Sequence, residues 1–144
     1  SQSLNSCCKT ATTIWLASER LQTVGWEWFY MVDDDVYPVL EYLQLVLCLK
    51  FSPSIPTTAG NPNCEDARGL EFCRGYCGGA GFGFNRAGIE ALVGNRSQEE
   101  FLEDFISVCK RCNYWDDIST GVISTDRGLH VATLLGVDHR RKSR

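Results

Sequence analysis

Five large apolar residues, Trp28-Phe29-Tyr30-Met31-Val32, run without a break into Asp33-Asp34-Asp35. The apolar run is short, aromatic and aliphatic, which predicts a buried strand rather than a helix. One aspartate suffices to end a strand in a turn. Three in a row are costly, because each negative charge opposes the ionisation of the next. In open α/β sheets the carboxyl ends of the strands are where ligands bind. Crowded carboxylates in a cleft are tolerated when a cation neutralises them. Hard oxygen ligands suit Mg²⁺ or Mn²⁺, which typically bridge one or two carboxylates to substrate phosphates. The triplet therefore reads as a metal site whose metal holds a diphosphate. The plainer reading is a turn with helix-capping aspartates.

The rest of the chain fits one α/β domain over residues 1–144. Its 44% hydrophobic content is enough for a core, and nothing points to general disorder. A net charge of −4 argues against a nucleic-acid partner. The one basic cluster, His139 to Arg144, reads as a solvated tail. The longest apolar stretch, Val39 to Phe51, carries Glu41, Gln44 and Lys50 and is shorter than the ~20 residues of a membrane helix. The chain starts at Ser1 rather than at a methionine and is expected to be a piece of a longer protein.

Eight cysteines, an even number, suggest disulfides and an oxidising compartment, with the pairing open. A rival reading joins Cys73-x3-Cys77 and Cys109-x2-Cys112 as a four-thiolate zinc site. Asn95-Arg96-Ser97 matches the N-glycosylation acceptor pattern.

Helices and strands are expected to alternate. Lys9 to Leu21 reads as a helix ended by Gly25, and Pro38 as the first turn of a second helix running to Lys50. Phe51 to Asp66, with three prolines, reads as a loop. A short strand is expected near Leu70 to Arg74, and "HVATLLGV" as a last strand. Ser97-x-x-Glu100 is a capping box for a helix whose apolar stripe is Phe101, Leu102, Phe105, Ile106 and Cys109.

Two more motifs carry chemistry. Gly78-Gly79-Ala80-Gly81 reads as a turn from strand to helix where a ligand can approach backbone closely. It fits neither the P-loop nor the dinucleotide-binding spacing. Asp116-Asp117 reads as the N-cap of a helix starting at "ISTG", and a capping carboxylate that lines a cleft can also act as a general base.

In order and spacing, "WFYMVDDDVY", "GGAGFGFNRAGIEAL" and "WDDISTG" closely resemble the fringe-like β-1,3-glycosyltransferases. The similarity runs from about Leu4 to His139 and looks like the later part of the catalytic domain. The resemblance implies a GT-A (Rossmann-like) fold, here partial and without its N-terminal uridine-binding strands. It implies an inverting transfer from a UDP-sugar to a hydroxyl of a glycan or glycoprotein acceptor, with N-acetylglucosamine or galactose as the sugar. It also implies Mn²⁺, with Mg²⁺ as the alternative ion. Asp35 and His139 would be metal ligands, with His130 the poorer match. Asp34 would contact the donor, Gly78, Gly79, Ala80 and Gly81 would wall the donor sugar, and Asp117 would be the catalytic base. The family's setting is the lumenal side of the Golgi membrane, anchored through an upstream segment. Two departures from the family pattern matter. Tyr30 and Gly83 stand where fringe proteins carry a cysteine pair, and Cys77 stands where the family prefers Thr or Ser. The competing reading is a non-catalytic homologue that keeps the fold for binding or structure.

Overall fold

The computed structural model describes residues 3–21, 23–62, 64–65 and 69–134. The architecture is mixed α/β. A four-stranded sheet has the order β1 (Trp28–Met31), β5 (Phe82–Asn85), β2 (Thr57–Gly60), β6 (His130–Thr133). β2 and β6 are parallel, and β5 runs antiparallel to both β1 and β2. So β1, β2 and β6 point the same way, and Met31, Gly60 and Thr133 end at one edge. A two-stranded ribbon, β3 (Cys64–Glu65) with β4 (Arg74–Gly75), stands apart.

Strand alternation divides the side chains between two cores. Phe29, Met31, Phe82, Phe84 and Val131 face the larger one, which is closed by α1 (Leu4–Arg20), α3 (Arg86–Val93), α4 (Gln98–Arg111) and α5 (Asp116–Asp126). Trp28, Tyr30, Ala59 and Ala132 face the smaller one under α2 (Leu40–Lys50), to which Leu43, Val46 and Leu47 contribute. The capping box forms as the sequence predicts: Ser97 Oγ accepts from Glu100 N, and Glu100 Oε2 accepts from Ser97 N. In the expected stripe Phe101, Phe105 and Cys109 are buried, and Leu102 and Ile106 pack partly buried against them.

Several expectations are corrected. Helix α1 begins at Leu4, capped by Ser3, and ends at Arg20, four residues before Gly25 is reached. Helix α2 begins at Leu40, so Pro38 precedes it rather than occupying its first turn. The expected loop 51–66 contains β2, all four of whose residues are buried. "TTAG" shows neither apolar alternation nor length, so only its position between β5 and β6 makes it a strand. Asn85 holds the approach to it: Oδ1 accepts from Thr57 N at 2.9 Å and from Gly88 N at 2.7 Å, while Nδ2 donates to Ile55 O at 2.7 Å. One amide thus caps α3 and ties down the segment before β2. The strand near Leu70 to Arg74 is reduced to Arg74–Gly75. The glycine turn leads into strand β5 and not directly into a helix.

The zinc reading is overturned. The four cysteines it joined belong to three disulfides, Cys7–Cys109, Cys64–Cys77 and Cys73–Cys112. Cys8 and Cys48 are free and exposed.

Candidate active site

The three motifs meet at the carboxyl edge of the sheet. Asp33 follows β1, and β5 starts at the same edge because Phe82 is paired with Met31. The glycine turn that precedes β5 is therefore held there too. Gly78 N donates to Asp117 Oδ2 at 2.9 Å, which brings in the N-terminus of α5. A cavity of about 320 Å³ lies among them, walled by Asp33, Gly78, Gly79, Asp116 and Asp117, with Thr10 of α1 at its side.

Asp117 is not the N-cap. Trp115 occupies that position, and both aspartates lie in the first turn of α5. Acidic residues suit that turn, where backbone N–H groups lack partners. Asp117 uses this: Oδ1 accepts from Ile118 N at 2.8 Å while Oδ2 takes Gly78 N. Burial nevertheless dominates and raises its pKa to about 6, with the two backbone hydrogen bonds opposing and the Asp116 charge assisting. Asp116 is held from another element. Thr10 Oγ1 donates to Asp116 Oδ2 at 2.6 Å. Thr10 carries no sequence signal of this role, since its partner is 106 residues away. The indole Nε1–H of Trp115, in the same cavity wall, is buried with no acceptor among the described residues.

The acid triplet divides by position. Asp33 lines the cavity, and its carboxyl is raised above the ordinary range by partial desolvation and by the charges of Asp35, Asp116 and Asp34. Asp34 and Asp35 are exposed in the turn that follows. Asp33 feels Asp116 across more than 80 residues of sequence, so two acidic motifs share one electrostatic field. Among the described residues the cavity lining holds carboxylates and no cysteine or histidine, a set that suits a hard divalent cation. Among the described residues no three His, Cys, Asp or Glu side chains gather closely enough to hold a metal by themselves. A site of one or two carboxylates completed by diphosphate and water matches this donor set. His139 lies outside the described residues. His130 starts β6, paired with Thr57 at the sheet edge away from the aspartates.

The glycines do more than leave space. A Cβ on Gly78 would lie 2.7 Å from Asp117 Oδ2, so a side chain there would displace the carboxylate. Gly79 lines the cavity, and Ala80 O accepts from Tyr30 Oη at 3.4 Å. Gly81 has φ 84°, a conformation that favours glycine. The two positions that depart together from the fringe pattern are direct cross-strand partners, Tyr30 opposite Gly83. The Tyr30 ring lies over Gly83, where a Cβ would meet it. Cys77 is buried and bonded to Cys64, so no free thiol stands before the glycine turn.

A carboxylate of raised proton affinity, fixed by backbone beside an acid cluster, makes this cleft the candidate catalytic site of an α/β domain. The chain belongs to the Fringe-like family, a glycosyltransferase family, whose model matches residues 1–136. No curated protein matches the chain. Fringe-like glycosyltransferases are secretory-pathway enzymes, and three disulfides fit an oxidising lumen. Among the described residues no helix is long and apolar enough to cross a membrane.

Proposed function

We propose that this domain transfers a sugar from a UDP-sugar to a hydroxyl of a glycan or glycoprotein acceptor, forming a β-1,3 linkage with inversion, and that Asp117 is the general base. The observation that carries the proposal is Asp117 itself, a cavity-lining carboxylate raised to about 6 and oriented by two backbone N–H groups. A base with a pKa near the working pH combines ionisation with useful proton affinity. An Asp117 carboxylate oxygen takes the proton of the acceptor's hydroxyl as the hydroxyl oxygen attacks the anomeric carbon. The bond from that carbon to the diphosphate breaks on the opposite face, so a single displacement inverts the centre. Thr10 keeps the Asp116 carboxylate beside the base, and Gly79 leaves room against the cavity. Asp34 is assigned to the donor. Asp35, with His139, would hold Mn²⁺ or Mg²⁺, and the ion when bound offsets the charge of the departing diphosphate. The donor sugar is N-acetylglucosamine or galactose. The working site is the Golgi lumen, with a segment upstream of this domain as the membrane anchor.

The test is transfer of labelled sugar from a panel of UDP-sugars to glycoside acceptors in the full-length protein, with Mn²⁺ and with a chelator. Wild type should transfer only with the ion, and Asp117→Asn should lower kcat by on the order of 10²-fold or more with KM little changed. Wild-type turnover by Asp117→Asn would remove Asp117 from the base role. Absence of transfer by wild type, with UDP still bound, would favour the non-catalytic homologue.

A further inference from the structure

We propose that Asn95 is an N-glycosylation site whose first sugar lies in the groove beside it. The acceptor pattern Asn95-Arg96-Ser97 is common enough to arise by chance, and its surroundings here supply what the pattern lacks. Asn95 is exposed in the tight connection between α3 and α4, directly after Gly94 at φ 61°. It belongs to neither helix, so a bulky substituent displaces no core side chain. Its neighbours hold the turn in shape: Arg96 Nη1 donates to Val93 O at 3.2 Å, Arg96 Nε meets Asp104 Oδ2 at 3.1 Å, and Ser97 caps α4.

The groove, about 410 Å³, is lined by Trp15, Ser18, Glu19, Glu90 and Asn95 itself. A half-buried indole offers an apolar face to the C–H side of a pyranose, and the carboxylates and hydroxyl accept from its hydroxyl and amide groups. This is the composition of a carbohydrate-binding wall. The catalytic cavity takes Ser6 and Thr10 from the first part of α1, whereas this groove takes Trp15, Ser18 and Glu19 from its last part. Ser6 and Glu19 are roughly 20 Å apart along the helix axis at 1.5 Å per residue. A glycan on Asn95 therefore leaves the cleft open.

The proposal rests on lumenal synthesis, which the three disulfides support. The donor is a lipid-linked oligosaccharide diphosphate. A bond forms between Asn95 Nδ2 and the anomeric carbon of the first N-acetylhexosamine. The bond from that carbon to the diphosphate breaks, the lipid diphosphate leaves with the electron pair, and the amide gives up one proton.

The experiment expresses the chain with a secretion signal in eukaryotic cells and measures intact mass with and without an amidase specific for N-glycans. Wild type and Ser97→Thr should lose a glycan mass on digestion. Asn95→Gln and Ser97→Ala should carry none, while alkylation without reduction still shows three disulfides in every variant. In the glycosylated protein, ring protons of Trp15 should show nuclear Overhauser contacts to the first sugar. A secreted chain with its disulfides intact and no glycan on Asn95 overturns the site and leaves the transferase reading untouched. A glycan without contacts to Trp15 overturns its placement in the groove.

Discussion

At the scale of single residues, the site turns on how two adjacent aspartates are treated. Asp116 keeps a hydroxyl donor from α1, while Asp117 is carried into the wall of the cavity against Gly78. Burial raises Asp117 from 3.8 to about 6. The folded state therefore holds its proton more tightly than the unfolded chain does, and the associated stability is fully present below about pH 4. It is lost as pH rises through about 6. Thermal melts of wild type and Asp117→Asn from pH 4.5 to 7.5, on the order of the window set by that shift, check this. The wild-type melting temperature should rise relative to the variant as pH falls, because only the wild type gains the proton. A pH-independent difference between the two would show that Asp117 titrates normally. The candidate residues were legible in sequence as acids at element boundaries. The hydrogen bonds that separate their roles were not, because Thr10 and Gly78 are distant from them along the chain.

At the scale of elements, the glycine turn shows why β1 and β5 lie as they do. Gly81 has φ 84°, and a Cβ on it would stand 2.6 Å from Tyr30 Cε1 and 2.7 Å from Met31 O. Gly128 has φ 76° with nothing within 4 Å of its Cβ position. Both substitutions to alanine incur left-handed backbone strain of roughly 1–2 kcal/mol. Only Gly81→Ala also forces β1 and the turn apart, adding roughly 1–3 kcal/mol of overpacking. Urea unfolding of the two variants should rank Gly81→Ala clearly below Gly128→Ala. Equal losses would mean that the close approach at Tyr30 is relieved at no cost. Strand β1 was readable from composition because its run is short, unbroken and aromatic. Strand β5, "FGFN", was hidden by its neighbouring glycines, and β2 by its small polar residues.

At the scale of the molecule, three disulfides link parts that the sheet alone does not. Cys7–Cys109 ties α1 to α4, and this clamp lies one turn from Thr10, whose hydroxyl reaches Asp116. Cys73–Cys112 ties the residue before β4 to the C-cap of α4, and Cys64–Cys77 ties β3 to the residue before the glycine turn. Alkylation without reduction should label Cys8 and Cys48 and leave the other six cysteines unmodified. Labelling of all eight would remove the pairing. The Cys7–Cys109 bridge closes a loop of 102 residues, so replacing both cysteines by serine should cost at most about 5 kcal/mol on the chain-entropy account.

Read on its own, the chain declared an α/β domain, an acidic strand end, a glycine turn and a helix start bearing two aspartates. Each is a local signal, written in residues that are neighbours. Length and apolar periodicity decide strand or helix, and a capping box closes on itself within four residues. The tertiary structure decided what local signals cannot contain. It chose three disulfides among all the pairings that the cysteines allow. It made a strand of Thr57–Gly60 by burying it between two others, and placed His130 at the far edge of the sheet. It also divided the acids, leaving Asp34 and Asp35 in solvent and pressing Asp117 into the cavity wall. The reason is that proton affinity and strand identity depend on what is packed against a residue, and those partners come from across the sheet rather than from along the chain.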